Sequence, residues 1–195
     1  MDCLPLFYRR ILYAIAVCVA FSLVSVAQPR PERAVAPLLK TIRVQSAPYN
    51  RSCPYYNYGD SISSEPCLVG CVATAIEQLL SYYRYPDALL DSIPGWETEN
   101  YSLVTVPSGS KIDWDDVADL SLWCGMIVQM KYSPSASASG LWKAEEPLKR
   151  VFGYGTVKIV DRSLYSFDAW HRILQNELLS GRPVAYVGYS NMMIG

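Results

Sequence analysis

The clearest rhythm of apolar positions along the chain is helical. Val72, Ala75, Ile76, Leu79, Leu80 and Tyr83 fall at i, i+3, i+4, i+7, i+8 and i+11, the spacing that gathers side chains on one buried face of an α-helix. The pattern predicts a helix that begins just after Gly70 and ends at Tyr85-Pro86, because a residue before proline is driven out of the helical region. Leu122, Trp123, Met126 and Ile127 predict a second helix over 120–130. A short one follows over 145–152, with Pro147 tolerated in its first turn. Phe167, Trp170, Leu174 and Leu178 predict another over 166–179, capped by Ser166 or Asp168 and closed by Gly181. The second rhythm is alternation: residues 156–160 read as a strand, and Pro-Val-Ala-Tyr-Val within 182–188 reads as the first strand of a sheet. Residues 133–140 are a loop of small side chains. Residues 47–66, rich in Tyr, Asn, Ser, Pro and Gly, show neither rhythm and read as one long loop. Loops of that length are often functional, which directs the search for chemistry to the segment that follows.

The N-terminus carries a different signal. Arg9-Arg10 precedes an apolar run from Ile11 to Leu23 broken only by Ser22, followed by Ser25-Val26-Ala27 and Gln28-Pro29. The run is shorter than the ~20 residues that span a bilayer, and small residues stand three and one positions before a cut after Ala27. Residues 1–27 therefore read as a secretory signal peptide, residues 28–36 as an extended Pro- and Arg-containing lead-in, and residues 37–195 as the domain. Secretion implies an oxidising compartment, in which Cys53, Cys67, Cys71 and Cys124 remain once Cys3 and Cys18 leave with the leader.

Composition narrows the function classes. A chain of 195 residues with 51% hydrophobic and 18% charged residues can build a core, and a formal net charge of -1 gives no footprint for a nucleic-acid partner. No phosphate-binding loop, dinucleotide fingerprint or H-E-x-x-H helix occurs, and one His with no paired Cys motif leaves a zinc site short of ligands. The expected cofactor and metal content is none. The acidic run Asp113-Trp114-Asp115-Asp116 reads as an exposed turn or helix start.

Cys71 stands at the first position of the strongest helix, directly after Gly70. A helix N-terminus stabilises a thiolate through its unsatisfied N–H groups and dipole, and the small neighbours Ala73 and Thr74 leave room for a substrate backbone. The residues alone leave three readings open: a nucleophile, a disulfide partner of Cys67 or Cys53, or a buried thiol. Gln45, upstream, can supply the side-chain amide of an oxyanion hole or stand as a solvated Gln. The single histidine, His171, falls on the shoulder of the 166–179 helix, a poor position for the imidazole that thiol catalysis requires.

Longer strings resolve these readings. Pro37-Leu-Leu-x-Thr-x-x-x-Gln45-x-x-Pro48-Tyr49-Asn50, Cys53-Pro54, Gly70-Cys71-Val72-Ala73-Thr74-Ala75-x-x-Gln78 and Tyr82-x-x-Tyr85-Pro86 resemble the streptopain family of secreted bacterial cysteine peptidases. The resemblance continues through Ile112 to Asp116, Tyr132-Ser133-Pro134 to Gly140, Phe152-Gly153-Tyr154 and Gly181 to Tyr186. It implies an α+β, papain-like fold with the helical half present and the β-sheet half only begun. It implies Cys71 as nucleophile, Gln45 as oxyanion-hole residue, protein or peptide substrates, and no membrane partner after leader removal. Arg43-Val44 occupies the place where the family usually has Trp. The family's catalytic His follows the first sheet strand in a Gly-Gly-His-Ala context, and this sequence reaches Gly195 before that motif. The expectation is a secreted cysteine endopeptidase that is inactive as the given chain. The rival reading is a secreted non-catalytic module that keeps the helical half as a binding or inhibitory surface. A Cys53–Cys67 disulfide around the long loop and a buried Cys124 thiol complete the expectations.

Overall fold

A computed structural model of the protein describes residues 35–188. The predicted leader over 1–27, most of the lead-in over 28–36 and residues 189–195 lie outside the described residues. The chain order is β1 (Tyr55–Asn57), β2 (Ile62–Pro66), α1 (Cys71–Tyr83), β3 (Trp96–Glu97), β4 (Ser102–Leu103), α2 (Ala118–Ile127), α3 (Glu145–Arg150) and α4 (Phe167–Leu179), with 3-10 turns at Leu141–Ala144 and Arg162–Leu164. Helices dominate, and each sheet among the described residues has two antiparallel strands.

The core forms where α1 packs on α2. Ile76 and Leu80 of α1 meet Leu120, Trp123 and Met126 of α2, and Phe152, which follows α3, is fully buried with them. Burying one such side chain contributes roughly 1.5–3 kcal/mol, so this contact carries the helical part of the fold. The buried face of α1 is rotated from the predicted one. Ala73 and Glu77 are fully buried, whereas Tyr83 is 42% exposed. The helix also ends earlier than Tyr85-Pro86. Arg84 takes a left-handed conformation (φ 48°) while its N–H donates to the Leu80 carbonyl, and Tyr85–Pro86 is a cis peptide.

The stretch read as one long loop contains the β1–β2 hairpin, in which Tyr55 pairs with Pro66 and Asn57 with Ile62. Its strands are largely exposed, so no apolar alternation marks them. Turn chemistry sets the pairing instead: Gly59 at φ 93° and the Tyr58 N–H on the Ser61 carbonyl (2.8 Å) reverse the chain. Buried Asn50 ties the hairpin to the preceding turn, its Nδ2 donating to the Pro66 and Cys67 carbonyls. A second unpredicted feature is an irregular antiparallel arm. Ile93 and Val106 exchange both backbone bonds at 2.9 Å, and Ile112 N–H reaches the Asp87 carbonyl. Tyr101 anchors this arm, its hydroxyl donating to the Met130 carbonyl and accepting from the Tyr132 N–H.

Both alternating segments fail as strands. Residues 156–160 and 182–188 carry no ladder, and Ile159, Val160, Val184 and Val187 are each more than a third exposed. Alternation supplies a two-faced segment, but a strand exists only when a neighbour takes its N–H and C=O groups. The predicted cap of α4 holds, with Ser166 Oγ accepting from the Ala169 N–H. The acidic run is a turn, as read: Asp113 accepts from the N–H groups of Asp115 and Asp116.

Candidate active site

Three segments converge on the first turn of α1. The first is the helix entrance. Gly70 has φ 88°, a conformation open to glycine, and a Cβ there would stand 2.7 Å from Met130 Cε and 3.1 Å from the Ser137 carbonyl oxygen. The residue before Cys71 must therefore be glycine, on both conformational and steric grounds. The second is residues 133–138, whose Ser133 carbonyl accepts from the Leu68 N–H at 3.1 Å and whose Ser137 carbonyl lies over Gly70. Ser137 is buried and organises that loop by donating to the Ser133 carbonyl and accepting from the Ser133 N–H. The third is the extended stretch ending at Gln45, whose carbonyl accepts from the Val69 N–H at 2.9 Å. Gln45 is thus held against the strand-like approach to Cys71, two residues before the helix begins.

Cys71 itself is exposed and free, at the first residue of the helix. It is set apart chemically from the other thiols. Burial pushes Cys53 up to about 12, with the Cys67 sulfur adding to it, and burial pushes Cys67 up to about 11. Cys124 is raised well above the ordinary thiol range, by burial first and then by the charge of Glu77. The buried Cys124 thiol agrees with expectation. The Cys53–Cys67 bridge does not: both are free thiols, 3% and 0% exposed.

His171 is exposed on α4, its ring edge-on against Phe167 with centroids 4.0 Å apart. No group of acidic, His and Cys side chains able to hold a metal occurs among the described residues. No helix among them is long and apolar enough to cross a membrane.

Sequence reasoning missed Glu77. It is 0% exposed on the α1 face turned to residues 41–45, with Ser81 Oγ donating to Oε1 at 2.6 Å and Arg43 Nε 3.4 Å from Oε2. The Arg43 guanidinium lies 4.9 Å from the centre of the Tyr49 ring. A charged residue three positions before the buried Leu80 and four after Ala73 was the available signal.

The pattern that describes the Peptidase C10 family matches residues 44–195, a span that holds the helix entrance, its Cys and the upstream Gln. The chain belongs to the Peptidase C10 family. Within it, the chain is 26% identical over 172 residues to streptopain of Streptococcus pyogenes, covering 74% of this chain and 43% of that protein. It is 25% identical over 181 residues to the thiol protease/hemagglutinin PrtT of Porphyromonas gingivalis, covering 82% of this chain and 21% of that one. The chain thus spans less than half the length of these curated relatives. The structure of active wild-type interpain A cysteine protease of Prevotella intermedia superposes with a TM-score of 0.66 at 26% identity, over 76% of this chain and 67% of that one. A prointerpain A fragment superposes at 0.67 with 24% identity, over 90% and 63%. The C10 chain is accordingly α+β with a papain-like fold.

Proposed function

We propose that this C10 chain carries the nucleophile side of a secreted cysteine endopeptidase that hydrolyses protein substrates without a cofactor. Cys71 is the nucleophile. Its thiolate attacks the scissile carbonyl carbon, and the oxyanion that forms is held by the Gln45 side-chain amide and the Cys71 backbone N–H. Collapse expels the amine and leaves a thioester on Cys71, which water hydrolyses to free acid and thiol. The observation that carries this reading is the combination of an exposed Cys71 on the first turn of a core helix with Gln45 hydrogen-bonded to Val69 beside it. Residues 1–27 act as the export leader, 28–36 as a lead-in, and 37–195 as the peptidase portion.

The 195 residues by themselves have no peptidase turnover. Their one histidine is exposed on α4 against Phe167, and the departing amine needs a proton that an imidazole beside the sulfur would supply. General acid–base assistance is worth about 10²–10⁴-fold. The test uses the full chain in reducing buffer at neutral pH with casein as substrate and Cys71→Ala and His171→Ala as controls. We expect cleavage no faster than with Cys71→Ala, together with stoichiometric trapping of wild-type Cys71 by a peptidyl acyloxymethyl ketone. Cleavage lost in both variants would make His171 the base and overturn the assignment. Failure of the ketone to modify Cys71 would favour the non-catalytic module.

A further inference from the structure

Residues 41–45 are amphipathic in the wrong sense for packing alone. Ile42 is 90% exposed and Val44 49%, while the polar Thr41, Arg43 and Gln45 are half-buried. In an extended segment successive side chains point to opposite sides, so Thr41, Arg43 and Gln45 share one side. That side faces α1. Thr41 Oγ1 donates to Gln78 Oε1 at 3.4 Å, Arg43 Nε stands 3.4 Å from Glu77 Oε2, and the Gln45 carbonyl takes the Val69 N–H. The segment therefore runs antiparallel to the helix, with Gln45 at its Cys71 end.

A stretch selected only for stability would turn Ile42 and Val44 inward. Here the polar set is inside, and the pair it buries is nearly dry: the Arg43 side chain is 17% exposed and that of Glu77 1%. Arg43 is also gripped from its other side, its Nη1 donating to the Tyr49 hydroxyl at 3.4 Å under the cation–π contact. A buried ion pair is a weak source of stability but a good device for fixing register. A slip of one residue along 41–45 would expose Arg43 and turn the Gln45 amide to the opposite side.

We propose that Arg43 and Glu77 are a positioning pair that fixes the register of residues 41–45 on α1 and so aims the Gln45 amide at the carbonyl attacked by Cys71. This rests on the reading of Gln45 as an oxyanion donor. Arg43 and Glu77 touch neither substrate nor sulfur and act through Gln45.

Two reactions of Cys71 in the full chain separate positioning from general structure. Iodoacetamide alkylates the thiolate by displacement at a saturated carbon and generates no oxyanion. With p-nitrophenyl acetate the sulfur adds to the carbonyl, the S–C bond forms, and the ester C–O bond breaks as p-nitrophenolate leaves with the electron pair. That leaving group needs no proton, so no imidazole is required. The ratio of acylation to alkylation rates, read at the Cys71 peptide by mass spectrometry, reports the oxyanion donors.

Gln45→Ala is expected to lower that ratio about tenfold or more. Glu77→Gln and Arg43→Met are expected to lower it by a similar factor while leaving alkylation within about twofold, and Arg43→Lys to retain it. In the Gln45→Ala background, Glu77→Gln should have no further effect. If Arg43→Met loses its far-ultraviolet circular dichroism, the isosteric Glu77→Gln carries the test. A wild-type ratio in Glu77→Gln, with Gln45→Ala impaired, overturns the positioning role and leaves the proposed function standing. An equal drop in both rates makes the pair merely structural and overturns it too. An unchanged ratio in Gln45→Ala removes the oxyanion reading itself.

Discussion

At the scale of single residues, environment separates the four thiols of the described residues, which are identical in chemistry. Cys71 is exposed, whereas burial raises Cys53 to about 12 and Cys67 to about 11, and Cys124 is enclosed completely. A short iodoacetamide pulse at pH 8 on the folded chain is expected to modify Cys71 and spare the other three, as read by peptide mapping. Equal labelling of Cys67 would contradict this burial. Glu77 supplies the opposite case, a carboxylate kept inside. Burial raises its pKa above the ordinary 4.5, only partly offset by the Ser81 hydroxyl and then by Arg43. Protonation of Glu77 therefore favours the folded state. That contribution is full below the ordinary glutamate value and is lost as pH rises through the raised one. Relative to wild type, the urea midpoint of Glu77→Gln should climb as pH rises through that window. A constant offset at all pH values would mean that Glu77 titrates normally.

At the scale of elements, the site depends on how α1 is entered. Gly70→Ala forces a left-handed backbone on an L residue and drives its Cβ into Met130 and the Ser137 carbonyl. The expected cost is about 1–3 kcal/mol or more, measured as a fall in the urea midpoint, with disturbed Cys71 alkylation. A variant as stable as wild type would show that Met130 and the 133–138 loop yield freely. The helices also differ in anchorage. α1 and α2 share the core, whereas the buried Trp170 of α4 lies outside that core cluster and neighbours the rings of its own flanks, Tyr165 and Tyr186, with centroids 6.2 and 6.0 Å away. A link from α4's end to α1 is Tyr82, whose hydroxyl donates to the Gly181 carbonyl at 3.0 Å. Hydrogen exchange should open α4 well before α1 and α2, since sub-global opening follows the buried contacts that hold each unit. Equal protection in all three helices would refute that ranking.

At the scale of the whole molecule, apolar side chains concentrate outside the core near the C-terminal end of the described chain. Ile159, Leu164, Val184, Tyr186 and Val187 are between 39% and 77% exposed, and residues 182–188 carry no strand ladder. Unpaired extended backbone beside exposed apolar side chains is a template for association. The full chain should self-associate with rising concentration in sedimentation velocity, and Val184→Lys with Val187→Lys should reduce it. A monomer at all concentrations would show that these residues are covered in solution.

The sequence by itself determined the helices, because a 3.6-residue rhythm of apolar side chains and a Ser cap are local properties. It also determined the family, since the strings around Gln45 and Cys71 are contiguous and specific. Tertiary structure decided everything that depends on a partner distant in sequence. The rhythm of α1 placed Tyr83 inside and left Glu77 unmarked, since one of the two groups that offset its burial, Arg43 beside the Ser81 hydroxyl, lies 34 positions upstream. Alternation over 156–160 and 182–188 gave two-faced segments without ladders, because hydrogen-bond partners come from elsewhere in the chain. The β1–β2 hairpin was hidden for the converse reason: its pairing comes from a glycine turn and an Asn50 clamp, and solvent-facing strands need no apolar alternation. Cys53 and Cys67 bracket that loop, which suggested a bridge, but the folded chain holds both in the core as free thiols.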